Sequence, residues 1–127
     1  MRIPTLCFFL IAFSIPSMAD TNGTDESQAV IVHFSYGSRD LSKLFQLEDK
    51  LDKAISAAKA GIYDGNEMAT DGSDGFLYMY GPDADRLFAV VKPILEQTPF
   101  MKGATVTKQY GPPGEGTREV TLVIQPN

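Results

Sequence analysis

Apolar and polar residues alternate over residues 29–36: Val30, Val32, Phe34 and Tyr36 fall on one side, with Ile31, His33 and Ser35 on the other. A two-residue period of this kind is that of a strand. Gly37-Ser38-Arg39 turns the chain, and Asp40 is placed to cap a helix. The period then lengthens. Leu41, Leu44, Leu51, Ile55 and Ala58 recur at helical spacing up to about residue 60, while Glu48, Asp49, Lys50, Asp52 and Lys53 fill much of the remaining face. Gly61 followed by Ile62 fits a left-handed helix stop with its hydrophobic contact. Residues 62–69 and 75–81 read as two strands, and the turn formers Thr70-Asp71-Gly72-Ser73-Asp74 between them imply a hairpin.

A second helix is predicted over about residues 82–97, burying Leu87, Val90, Val91, Ile94 and Leu95, with a bend where Pro93 removes a backbone donor. Residues 104–110 and 117–124 form a last pair of strands around the loop "GPPGEG", with Val120, Leu122 and Ile124 alternating. The order strand, helix, strand, strand, helix, strand, strand predicts an α+β chain. Its expected form is a ferredoxin-like two-layer sandwich, β-α-β-β-α-β with an added C-terminal edge strand. The expected strand order is 2-3-1-4, with the fifth beside the fourth, so that the first and third strands are central. Residues 29–127 would make up this single domain.

"YDGNEM" at 63–68, "YMYGPDADRLF" at 78–88 and "YGPPG" at 110–114 resemble segments of a group of small bacterial α+β proteins. The likeness covers most of the chain from the first helix onward and implies common descent. It brings no activity, cofactor or ligand with it.

The residues before the first strand change where the domain is expected to work. Arg2 precedes an apolar run over 6–15, and Ser17-Met18-Ala19 puts small residues where a signal peptidase reads, so residues 1–19 are expected to be an export signal. The run is too short to span ~30 Å of hydrocarbon as a helix. Residues 20–28, polar and without a hydrophobic period, read as a flexible lead-in. Asn22-Gly23-Thr24 matches a glycosylation acceptor, which carries meaning in a eukaryotic host. Cys7, the only cysteine, would leave with the signal, so an ordinary core rather than a disulfide must hold the domain together.

The chain has a net charge of −5, and loss of Arg2 leaves ten basic residues against sixteen acids, or −6. Such a balance argues against nucleic acid and, after cleavage, against a membrane surface, since both need clustered Lys and Arg. It suits solubility, or a basic protein partner.

Candidate chemistry concentrates between Asp64 and Asp85, where six acids occur without a base. In "GPDADRLF", Asp83 and Asp85 read as first-turn acids near the positive end of the helix dipole, with Pro82 preset for that turn. The alternative uses them as metal ligands or as an acid and base. "YDGNE" sets Asp64, Gly65 and Asn66 within a strand that disfavours all three. It reads either as an edge strand bulged at Gly65 or as a site drawn from Asp64, Asn66 and Glu67. Asp64 and Asn66 would point to one side and Glu67 to the other unless a bulge turned them together. "DGSDG" lacks the ligand spacing of a calcium loop. One histidine, His33, makes a zinc site improbable on ligand count, and neither a nucleophile elbow nor a phosphate-binding glycine loop is present. No cofactor is expected.

The run "FLYMY" at 76–80 is apolar on both faces. With Leu77 and Met79 under the helices, Phe76, Tyr78 and Tyr80 would line the open side beside Ile31 and His33, an aromatic surface suited to docking a protein. The expectation is an exported, non-catalytic protein-binding domain of inhibitor or immunity type, using His33, Asp64, Asn66, Glu67, Tyr78, Tyr80, Asp83 and Asp85. Two alternatives stand beside it. One is a small carboxylate- or metal-dependent enzyme built on Asp64, Glu67, Asp83 and Asp85, and the other is a domain that self-associates into a homodimer.

Overall fold

Alternation in β1 (Gln28–Ser35) buries Val30, Val32 and Phe34 completely or nearly so, while Ile31 stays half-buried and His33 exposed. The computed structural model describes residues 27–125. The expected export signal, Cys7, the acceptor at Asn22 and most of the lead-in lie outside these residues. Gln28 belongs to the first strand rather than to the lead-in: it pairs with Gly81, and its Oε1 accepts the backbone N–H of Ala84 at 2.8 Å.

The first helix, α1 (Ser42–Ala58), faces the core with Leu44, Leu47, Leu51 and Ile55, and Leu47 supplies the step missing from the stripe expected above. Leu41 and Ala58 pack against the core's margin. Both ends differ from expectation. Leu41 holds the N-cap position without a side-chain cap. Asp40, one residue earlier, instead accepts from the backbone N–H of Ser42 at 3.0 Å and its hydroxyl at 2.7 Å. These two bonds hold the Asp40 carboxyl below its ordinary range. At the other end the left-handed residue is Lys59 (φ 53°, ψ 40°), not Gly61, and the N–H of Ala60 reaches back to Ile55 O at 3.1 Å.

The hairpin of β2 (Ile62–Met68) and β3 (Asp74–Gly81) carries the bulge expected in "YDGNE": the register steps from Tyr63↔Met79 to Gly65↔Tyr78, leaving Asp64 as the extra residue. Gly65 sits there at φ 112°, in the region favouring glycine. In α2 (Ala84–Glu96) the buried set is Ala84, Leu87, Phe88, Val91 and Leu95, with Val90 and Ile94 at its margin. Pro82 precedes the cap rather than occupying the first turn; Asp83 is the N-cap, and its Oδ1 accepts the Arg86 N–H at 3.1 Å. Pro93 leaves the carbonyl of Ala89 without its helical partner, but both residues are exposed, so water can take the bond.

A short 3-10 turn (Pro99–Met101), not anticipated, sets the Phe100 ring 5.8 Å from Phe34 and 5.0 Å from Tyr36. β4 (Thr105–Gln109) and β5 (Glu119–Val123) complete an antiparallel sheet in the order β2-β3-β1-β4-β5, with the first and third strands inside as expected. α1 packs on α2 and β2, and α2 on β1, β3 and β4. The fold is α+β, compatible with a two-layer sandwich.

Arg86 ties the two helices end to end. Its Nη2 donates to Ala58 O at 2.5 Å and its Nη1 to Lys59 O at 3.4 Å, taking up carbonyls that the end of α1 leaves open. Arg86→Ala is expected to cost about 1 kcal/mol, seen as a lower denaturant midpoint at unchanged slope. Arg86→Lys should recover only part of the loss, since the two-pronged donor is gone. An unchanged midpoint in Arg86→Ala would mean that water serves those carbonyls equally well.

Candidate functional site

The side of the sheet away from the helices is built by register. Across β1 and β3, His33 lies opposite Phe76, Ile31 opposite Tyr78 and Ala29 opposite Tyr80. Leu77 and Met79, the alternate residues of β3, are fully buried on the other side. The rings form a ladder. His33 stacks on Phe76 at 4.5 Å and 21°, and Phe76 on Tyr78 at 6.1 Å and 17°. Phe76 is 36% exposed, Tyr78 and Tyr80 are half-buried, and the expected placement of all three holds. Across β4 and β5 the same face continues with Thr107 and Thr121, hydroxyls 3.4 Å apart, and with Val123, 49% exposed.

Carboxylates border this surface. Asp74 Oδ2 lies 2.7 Å from His33 Nε2, a pair half open to water. Glu67 Oε1 accepts the Tyr78 hydroxyl at 2.5 Å, and Glu119 at the far edge accepts from Gln109 Nε2 at 2.7 Å. The Glu67 bond, followed by partial burial, pushes the Tyr78 phenol up from 10.0 to about 12. A raised value favours the neutral phenol, so this contact supports the fold below pH 10.0 and is lost as pH climbs through about 12. Glu67→Gln is expected to return Tyr78 toward 10.0, followed by its ring signals in an NMR pH titration. An unmoved titration would mean that another group holds the phenol.

Other expected site residues go elsewhere. Asn66 turns to the helix side, where its Nδ2 donates to Glu48 Oε2 at 2.9 Å, and the Tyr63 hydroxyl donates to the same oxygen at 2.5 Å. Three apart, these two side chains would fall on opposite faces of a regular strand; the bulge at Asp64 brings them together. Burial and then the Glu48 contact raise the Tyr63 phenol. Asp64 itself is exposed at the sheet's edge.

Asp83 is the N-cap of α2 rather than a first-turn residue, and Asp85 is the first-turn acid as expected. The Asp85 side chain also reaches the sheet, accepting Lys108 Nζ at 2.8 Å and the Tyr110 hydroxyl at 2.6 Å. Lys108 first, then Tyr110, hold the Asp85 carboxyl below its ordinary range, and Asp85 in turn raises the Lys108 ammonium. The stem of Lys108 is largely covered, with its ammonium 5.5 Å from the Phe88 ring centre. Arg118 completes the cluster 4.4 Å from the Tyr110 ring. Asp71 is a turn residue accepting the Ser73 N–H at 2.9 Å.

Of the eight candidates, His33, Glu67, Tyr78 and Tyr80 share the open face, and Asp64 stands at its edge. Asn66, Asp83 and Asp85 do not. The four acids of the enzyme alternative are spread over a bulge, a sheet face, a helix cap and an ion pair. Among the described residues no three His, Asp or Glu side chains gather to hold a metal ion. Asp74 as the partner of His33 was not foreseen; the register of β1 with β3 carries that signal, because it sets Asp74 opposite Ser35, two residues on from His33 on the same face.

The segments "YDGNEM", "YMYGPDADRLF" and "YGPPG" are joined in space by hydroxyl–carboxylate pairs, Glu67 with Tyr78 and Asp85 with Tyr110. No protein-family model, curated protein or solved structure matches the chain.

Proposed function

We propose that this chain is an exported, non-catalytic domain that docks a basic protein partner through its open sheet face, in the manner of an inhibitor or immunity protein. The observation that carries the reading is the stacked His33–Phe76–Tyr78 ladder, uncovered and flanked by Glu67 and Asp74. Flat aromatic side chains give large contact area at low entropic cost, and the bordering carboxylates select for lysine and arginine opposite. Export rests on the pattern of residues 1–19.

Size determines how much of the molecule takes part. Five strands ~4.8 Å apart and about five residues long project on the order of 400 Å². A standard interface covers ~800 Å² on each side. Margin loops therefore contribute, and the edge carrying Asp64 and Glu67, with the turn carrying Asp71 and Asp74, supplies further negative charge. A second copy of the chain fits less well, because two such faces would set Glu67, Asp74 and Glu119 against like charges.

A photo-crosslinking amino acid in place of Tyr78, in the producing host, tests the reading. The expected product is one adduct with a basic protein, formed less as salt rises and absent when the crosslinker replaces Lys50. A product containing only this chain would establish self-association instead, and equal labelling from both positions would end the proposal.

A further inference from the structure

A second surface, remote from the sheet face, has the opposite charge. Between the start of α1 and the turn after α2 lies a cleft of about 490 Å³. Small-molecule sites fall at ~300–1,000 Å³. Tyr36, Leu47 and Phe100 give it an apolar lining, with the two rings edge to face at 5.0 Å and 90°. Lys43 and Lys50, two helical turns apart on one face of α1, also line it, as does Gln97 just past the end of α2. Asp40, the one acid of the cleft, accepts from the Ser42 N–H and hydroxyl and is also drawn to Lys43, so it offsets one of the two ammonium groups. Lys50 has no ion-pair partner among the described residues.

We infer that this cleft binds a small organic acid, a carboxylate carried on a flat apolar body. The body would lie against Tyr36, Leu47 and Phe100, and the carboxylate would meet Lys50 and Lys43, which outnumber the single acid there. Such a preference runs against the net charge of −5, so it must come from the cleft and not from the molecule's overall field. A cationic ligand would follow the overall field instead and gather on the acidic margins of the sheet. The inference is independent of the docking reading, since Tyr36 lies on the helix side of β1 and none of the cleft residues belongs to the open face.

Amide NMR on the protein as its host processes it provides the test, using three matched probes: naphthalene-2-carboxylate, its neutral carboxamide and 2-naphthylmethylamine. Shifts from the carboxylate should cluster at Tyr36, along α1 from Lys43 to Lys50, and from Gln97 to Phe100. Its affinity should exceed that of either analogue at least fivefold. Lys43→Glu with Lys50→Glu, both exposed and outside the core, should remove that preference while leaving the remaining spectrum folded. Lys50→Gln alone should weaken the carboxylate without affecting the carboxamide. Equal affinity for the three probes, shifts gathered on β1 and β3 instead, or unchanged binding in the folded double variant would each overturn the inference.

Discussion

Replacing Gly61 by alanine is expected to destabilise the protein by about 2–4 kcal/mol, more than any surface change considered above. The chain leaves α1 there and turns straight into β2, passing so close to the end of β3 that a Cβ would lie 1.9 Å from Tyr80 O and 2.9 Å from Gly81 Cα. Both obstacles are backbone, so no side chain can swing aside. The approach is mutual, because a Cβ on Gly81 would lie 2.3 Å from Ala60 O. Nor can β3 easily retreat: Gly81 is paired to Gln28, and two residues later Asp83 caps α2. The φ of 148° adds strain for any residue with a side chain. Gly37 provides the control. It too has positive φ, 83°, but faces open space, so Gly37→Ala should show only the conformational term of ~1–2 kcal/mol. Denaturant midpoints of the two variants decide the matter. If Gly61→Ala is no worse than Gly37→Ala, the contact between the two chain segments is looser than described.

The second large effect concerns docking. Phe76→Thr with Tyr78→Thr should lower affinity for the crosslinked partner at least 100-fold, about 3 kcal/mol, the scale of a central aromatic pair in an interface. Threonine keeps the strand preference of these positions, so the change should fall on binding more than on folding. Phe76 is 36% exposed and lies outside the buried core, which supports the same separation. His33 should behave differently. It stacks beside Phe76 and pairs with Asp74, so His33→Ala should lower affinity less, by removing one smaller ring and loosening the ladder. A double threonine variant that is folded and binds unchanged would place the interface elsewhere.

Periodicity made the architecture legible in the sequence. The two-residue alternation of Val30, Val32 and Phe34 follows from local pattern alone, whereas the split of Leu77 and Met79 from Phe76 and Tyr78 needed the two-layer arrangement as well, since that run is apolar on both faces. Strand order follows from element order once a hairpin and two crossover helices are granted. Chain ends of the helices were less legible, because several devices satisfy the same orphan groups. Lys59 accepts a left-handed conformation although Gly61 stands two residues away, and Gly61 is needed for close approach instead. Sequence also could not assign the acids. Six carboxylates between Asp64 and Asp85 look like one cluster along the chain, but Asp74 meets His33 from β1 and Asp85 meets Lys108 and Tyr110 from β4 and the residue after it. The sheet thus disperses what the chain brings together, and of the six only Glu67 and Asp74 are left beside the aromatic ladder.

Paramagnetic relaxation of aromatic ring protons by an inert soluble probe tests the central claim most directly, measured in the free protein and in its complex. In the free chain Phe76 and Tyr78 should relax clearly, though less than the more exposed Phe45, while Phe34, buried beneath the helices, stays silent. Partner binding should then protect Phe76 and Tyr78 and leave Phe45 unchanged. Rings shielded like Phe34 before any partner arrives, or equally exposed after it binds, would contradict the account.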